Sequence, residues 1–234
     1  MTLFIALWLF LAAPPFMSQP LTPENRARLD QGEIIRQCER EQGTQSAGYA
    51  IGVFQVPLET MWQALVSLPL YDEFVERTTV SVLLDEKTKD QVVAGGLDDA
   101  DAVEKLFAGN DPNFSKPDPF NPERAIVYSY QRNTFPWPVS DRWVLLEMNH
   151  DPRNHIQSWK RLAGNIREDH GVWRLEPYGP DRTLGILEIH VDLAIPATGP
   201  FTDFAMNLSL PETYRGFENI ARSLMKKSES GAGR

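Results

Sequence analysis

The stretch "TLGILEIHVDLAIPATGPFTDFAMNLSLPETYRGFENIARSL", Thr183–Leu224, holds two periodicities back to back. Up to Ile195 the period is two. Leu187, Ile189, Val191 and Leu193 share one face, opposed by Ile186, Glu188, His190 and Asp192. That pattern is a strand with one wholly apolar side. From Pro200 to Lys227 the period becomes helical. Tyr214, Phe217, Ile220, Ala221 and Leu224 form one apolar stripe, with an interruption expected near Pro211. The apolar strand face is expected to point inward, onto this long helix.

The same alternation recurs upstream. In "PWPVSDRWVLLEMNHD", Pro136–Asp151, two prolines fix φ and bias Phe135 and Trp137 toward extended backbone. Ser140 and Asp141 are suited to bonding neighbouring backbone amides. A stiff corner sets the register of the next strand, where Val144, Leu146 and Met148 share one face and Trp143, Leu145 and Glu147 the other. A one-residue slip would exchange the two faces. "RAIVYSYQR", "IQSWKRLAG" and "GVWRLEPYG" are further strands.

Nearer the N-terminus, Thr22 and Pro23 mark a short helix start. "GYAIGVFQV", Gly48–Val56, reads as a strand. "LETMWQALVSL" reads as a helix, with Leu58, Met61, Trp62, Leu65 and Val66 at helical spacing, and "PLYDEFV" as a shorter one. "TTVSVLLDEKTKDQVVAGGL" reads as two strands around a charged turn. Residues 98–122 read as a short helix, Ala100–Phe107, then a long irregular loop. Antiparallel strands with helices near the ends of the chain define an α+β fold.

Composition narrows the partners. The 234 residues are 42% hydrophobic, enough for one large domain. Lys+Arg 23 against Asp+Glu 32 gives −9, which repels phosphate backbones and argues against nucleic acid. No basic run offers a polybasic patch to an anionic membrane, which leaves transient contact through apolar surface. Leu3–Phe16 is apolar throughout and has the length of a signal-peptide core, so export to the periplasm or beyond is expected, with an uncleaved membrane anchor as the alternative. The single cysteine, Cys38, excludes an intrachain disulfide and is placed outside the sheet domain.

The order of these elements resembles the START-like, helix-grip superfamily, which includes steroidogenic-acute-regulatory-type lipid-transfer domains, polyketide cyclases and coenzyme-Q-binding proteins. The likeness rests on "PWPVSDRWVLLEM", on "GVWRLEPYGPDRTLGILEIHVDLAIP", on the final helix, and on "GVFQVPLETMWQALVSLPLYDEFV". It covers residues 48–227, preceded by an apolar segment, 1–18, and a polar extension, 19–47, and followed by a tail, 228–234. The resemblance implies a curved antiparallel sheet wrapped around the long C-terminal helix, with an apolar cavity between them. It implies ligand contacts at Tyr128, Tyr130, Val144, Leu146, Met148, Leu187, Ile189, Val191, Phe204, Leu208 and Phe217. The function implied is binding, and in some members transfer, of a lipid or other apolar small molecule by a monomer. The alternatives are a cyclase or aromatase-type enzyme and a quinone-binding chaperone. The final helix and the 98–122 loop are the candidate lids.

Sterol-transfer members often carry a buried Arg shortly after the corner. The matching position here is near neutral Met148, with Arg132 and Arg142 as substitutes. This departure points to an acyl chain or isoprenoid. Glu188, His190 and Asp192 lie at i, i+2 and i+4 on one strand face. They read as a solvated outer face rather than a metal site, since side chains two apart on a strand stand about 7 Å apart. His150, His155 and His170 read as surface groups at strand ends. No nucleophile elbow, zinc-helix, phosphate-loop or dinucleotide motif is present, so no catalytic residue, metal or cofactor is expected.

Overall fold

The computed structural model describes residues 21–40, 46–110, 125–135, 140–194 and 199–231, without the side chains of 39–40, 109–110, 199–208 and 231. The apolar segment Leu3–Phe16, the loop residues 111–124 and the corner residues 136–139 lie outside the described residues. Eight strands form one sheet: β1 (Ile35–Arg40), β2 (Ser46–Phe54), β3 (Thr78–Leu84), β4 (Ile126–Asn133), β5 (Arg142–Asp151), β6 (Ile156–Gly164), β7 (Glu168–Pro177) and β8 (Thr183–Asp192). Their order is β1-β2-β8-β7-β6-β5-β4-β3, and every neighbouring pair is antiparallel. The helices are α1 (Pro23–Asp30), α2 (Leu58–Val66), α3 (Tyr71–Phe74), α4 (Glu86–Gly95), α5 (Ala100–Asn110) and α6 (Gly199–Gly231). A 3₁₀ turn, Leu68–Leu70, joins α2 to α3.

The expected antiparallel α+β layout forms, with three differences. First, the sheet reaches back to Ile35. Cys38 sits on edge strand β1 opposite Gly48 and packs against the inner core. The charged sequence of β1 hides it, as an edge strand exposes much of itself to water. Second, only one strand forms in the segment read as two. The Asp85 carboxylate accepts the Thr88 N–H at 2.7 Å and caps α4, so the charged turn is a helix start. Third, α6 runs through Pro211 without a break.

Both faces of the sheet are covered. The inner face packs against α2, α3 and α6 around Phe54, Trp62, Leu146, Trp173 and Phe217. The outer face of β3–β5 is covered by α4 and α5, with Val92, Val103 and Phe107 against Tyr130, Trp143 and Leu145. The outer face at β2 and β8 is covered by Leu29 of α1. Thr22 caps α1 by accepting from the Asn25 N–H at 3.1 Å.

One side chain demonstrates the sheet's curl. Arg142, at the start of β5, donates from Nε to the Leu193 carbonyl just past β8, at 3.0 Å. Strands β5 and β8 are separated by β6 and β7. In a flat sheet that gap is about 14 Å, beyond the reach of one arginine. The sheet must therefore curve until its strand ends approach each other. The guanidinium also donates to the Ser140 hydroxyl and carbonyl, at 2.6 and 3.1 Å, while Asp141 accepts from Arg132 Nε at 3.1 Å. Among the described residues, Ser140 and Asp141 are held by arginines; the amides of 136–139 that they were expected to bond lie outside the described residues.

Helix α6 is seated by a pair of glycines. Gly52 and Gly185 face each other across β2 and β8. A Cβ at Gly52 would lie 2.5 Å from the Tyr214 ring, and one at Gly185 would run into the Phe54 ring. Those two rings stack at 5.0 Å. The Tyr214 hydroxyl reaches the Gly185 carbonyl at 2.9 Å and lies 3.1 Å from that of Ala50.

Tyr214→Phe keeps the ring stack but strands those carbonyls, and should cost about 1–2 kcal/mol. Gly185→Ala should cost more, because Phe54 is held by Tyr214 and Trp173 and has little room to retreat. Urea titrations of both variants check the order, and equal stability would show that the ring steps aside.

Candidate functional site

Between the curled inner face and α6 lies a cavity of about 260 Å³. Inward alternation on two strands builds the apolar part of its wall that the sequence foretold. Val144, Leu146 and Met148 come from β5, and Leu187, Ile189 and Val191 from β8; Phe217 of α6 stands opposite. These are seven of the eleven positions singled out in the sequence. Tyr128 and Tyr130 point the other way. Tyr130 packs under α5, its hydroxyl donating to Glu104 Oε1 at 2.9 Å, and Tyr128 lies beneath Lys89. Their neighbour Gln131 lines the cavity instead. Because α4 and α5 cover the outer face here, both sides of β4 want apolar groups, and aromatic character does not reveal which side is inward. The side chains of Phe204 and Leu208 lie outside the described residues.

The wall also contains residues that sequence reading did not single out: Gln157 and Trp159 of β6, and Asp169 and Trp173 of β7. Their shared parity was visible, but β6 and β7 mix polar and apolar residues on both faces, which blurs the signal. Gly171 makes room for Trp159, whose ring occupies the space a Cβ would need, 2.5 Å away. From there the indole N–H donates to Asp169 Oδ1 at 2.6 Å. Gln157 is almost fully buried and donates to the Leu65 carbonyl at 3.0 Å; its amide also meets His150 Nε2 at 3.2 Å. The Tyr71 hydroxyl donates to the same Leu65 carbonyl at 2.5 Å. Near the other end, Arg77 grips buried Glu212 of α6 through Nε at 3.1 Å.

Other expectations are corrected. Arg132 lies on the outer side, held by Asp101, Glu104 and Asp141, whereas Arg142 lines the cavity. His190 and Asp192 are buried rather than solvated. His190 stacks on His170 at 4.6 Å and meets Glu188, while Asp192 lies 3.6 Å from Arg167 and accepts the Ala194 N–H. Among the described residues, no cluster of three or more His, Cys, Asp and Glu side chains is placed to hold a metal ion. His150 and His155 are not simple surface groups either, since both approach the Trp62 ring edge-on.

No protein-family model and no curated protein matches this chain. Solved structures do. TTHA0849 from Thermus thermophilus is 14% identical over 75% of this chain and 97% of its own, with a TM-score of 0.54. A START superfamily protein from Mycobacterium smegmatis is 11% identical over 82% and 99%, with a TM-score of 0.50. The Zhui aromatase/cyclase from Streptomyces sp. R1128 is 9% identical over 86% and 99%, with a TM-score of 0.49. The eight-stranded sheet gripping a long C-terminal helix is a START-like, helix-grip fold.

Asp169 in the cavity wall and His150, behind Gln157, are shifted in opposite directions. Burial pushes Asp169 up from 3.8 to about 6, against the Trp159 N–H and the Arg161 charge. Burial also lowers His150, from 6.5 to about 4, and keeps it neutral. With its pKa raised, Asp169 binds its proton better in the folded state, so its contribution to stability is lost as pH rises from about 4 to about 6. With its pKa lowered, His150 binds its proton better in the unfolded state, so its contribution is lost as pH falls from about 6.5 to about 4. The two slopes oppose each other in one window. Asp169→Asn should be more stable than wild type above about pH 6, by on the order of 2 kcal/mol. It should then lose stability on acidification where wild type stays nearly flat. His150→Gln should show the reverse slope, and urea midpoints across this pH range check both.

Proposed function

We propose that this protein binds one apolar small molecule between the inner sheet face and α6, and carries it without chemical change. The supporting observation is the cavity, whose walls include the apolar side chains of Leu146, Met148, Trp173, Leu187 and Phe217. Burial of ligand surface there drives binding at about 25 cal/mol per Å². At about 260 Å³ the cavity is near the lower end of small-molecule sites, roughly 300–1,000 Å³. That volume suits a single acyl or isoprenoid chain or a small ring system better than a two-tailed lipid. A second reading, an enzyme of the cyclase or aromatase type, draws on Asp169, which titrates near neutrality in the cavity as a general base would.

Native mass spectrometry of the purified protein, followed by extraction, tests carriage. Recovery of a co-purifying apolar molecule, unchanged on incubation, supports it; conversion of the molecule would favour the enzyme. Met148→Arg should abolish uptake of the uncharged fluorescent probe 1-N-phenylnaphthylamine, because it buries a charge without a partner. Met148→Leu should bind normally. Glu147→Arg should also bind normally, since Glu147 lies on the outer face beside Lys160. Circular dichroism must show each variant folded. Export through Leu3–Phe16 belongs to the same proposal. A protein lacking residues 1–18 should remain folded by the same measure, as the described elements begin at Pro23.

A further inference from the structure

We propose that Asp169 is a polar anchor inside the cavity, and that the ligand is an apolar molecule carrying a hydroxyl group that donates to Asp169 Oδ2. The inference rests on the cavity-binding reading and gives its ligand a chemistry.

Among the described residues, the protein uses only one of the two carboxylate oxygens. Oδ1 accepts from Trp159 Nε1 at 2.6 Å, while Oδ2 has no partner among the described residues. The group is enclosed by protein, yet it lines the cavity and keeps surface open to it. Arg161 is close enough for its charge to act on Asp169. Its terminal nitrogen donates to the Gly164 carbonyl at 2.7 Å, but its Nε is buried without a partner, alone in this among the described side chains. Native interiors satisfy nearly all buried polar atoms. A carboxylate oxygen and a guanidinium N–H left unsatisfied in one region mark a place short of hydrogen bonds.

The surrounding charges select the class of ligand. A pure hydrocarbon would displace cavity water and leave an ionised carboxylate unsolvated. A fatty-acid carboxylate would set a second negative charge beside the first. A cation is unnecessary where Arg161 of β6 and Arg142 of β5 already supply positive charge. Besides Asp169 and Arg142, the ionisable lining comprises Tyr71, Glu76 and Arg77, the last bound to Glu212 of α6, and β8 presents only Leu187, Ile189 and Val191. A hydroxyl adds no charge and supplies the missing donor.

Displacement of the fluorescent probe 1-N-phenylnaphthylamine by decan-1-ol, by its isostere 1-methoxynonane and by decanoate tests the anchor. At about pH 8 the wild type should prefer the alcohol over the ether by roughly tenfold, the scale of a hydrogen bond to a charged acceptor. That preference should shrink below about pH 6, where a protonated carboxyl can itself donate to the ether. Asp169→Leu should still take up the probe and lose the preference. Asp169→Asn, the closer isostere, should lose most of it, which covers the case in which the Leu variant does not fold. Probe binding by wild type with no alcohol preference overturns the anchor and leaves the cavity standing. Decanoate binding more tightly than the alcohol at about pH 8 also overturns it, in favour of an arginine. No binding of probe or competitors by wild type removes the cavity reading and the anchor together.

Discussion

Everything in the inner half of this fold depends on one close approach. Gly52 and Gly185 lie opposite each other on β2 and β8, and the absence of two Cβ atoms lets Phe54 and Tyr214 lie flat against the sheet. That fixes how near α6 comes and which turn of the helix touches which strand. Phe217, one turn on from Tyr214, then meets Trp173 at 5.5 Å and Tyr71 at 4.9 Å, closing one side of the cavity. The ion pair between Arg77 and Glu212 fixes the helix nearer its start. Tyr214 and Glu212 hold the same turn of the helix, and the cavity lies against that turn, lined by Leu210, Thr213 and Phe217.

The curl of the sheet follows from a second constraint. Arg142 ties the start of β5 to the end of β8, so the strand ends at that side are drawn together over the cavity. The charge is costly in such a place; burial alone lowers the Arg142 pKa. Among the described residues, the guanidinium is satisfied by carbonyls and a hydroxyl rather than by a carboxylate. Hydrogen bonding to fixed dipoles tolerates a charge without neutralising it, and Arg142 therefore contributes positive potential to the cavity.

The site is more polar than a simple lipid sleeve. Gln157 is consumed by the protein's own hydrogen bonds, to the Leu65 carbonyl and to His150 behind it, and acts as packed wall. Asp169 differs, because among the described residues only Oδ1 of its carboxylate is bonded and the group lines the cavity. START-like folds host unrelated activities, so the functional reading rests on these residues and not on the fold.

Period-two and helical patterns determined much of this protein locally. The apolar faces of Val144–Met148 and Leu187–Val191, the stripe on α6 and the antiparallel α+β layout all follow from side-chain alternation, which is a short-range property of the backbone. The sequence did not disclose β1, whose charged residues suit an exposed edge, or α4, where an aspartate cap overrides a run that reads as strand. Nor could it tell the inner from the outer face of β4, because helices bury both sides and remove the contrast on which such readings depend. Asp169 became a site residue only in three dimensions. Its meaning comes from Trp159 and Arg161 on the neighbouring strand and from the space left beneath α6. Those relations are set by strand pairing and helix seating, which act between residues far apart in the chain and leave no local period to read.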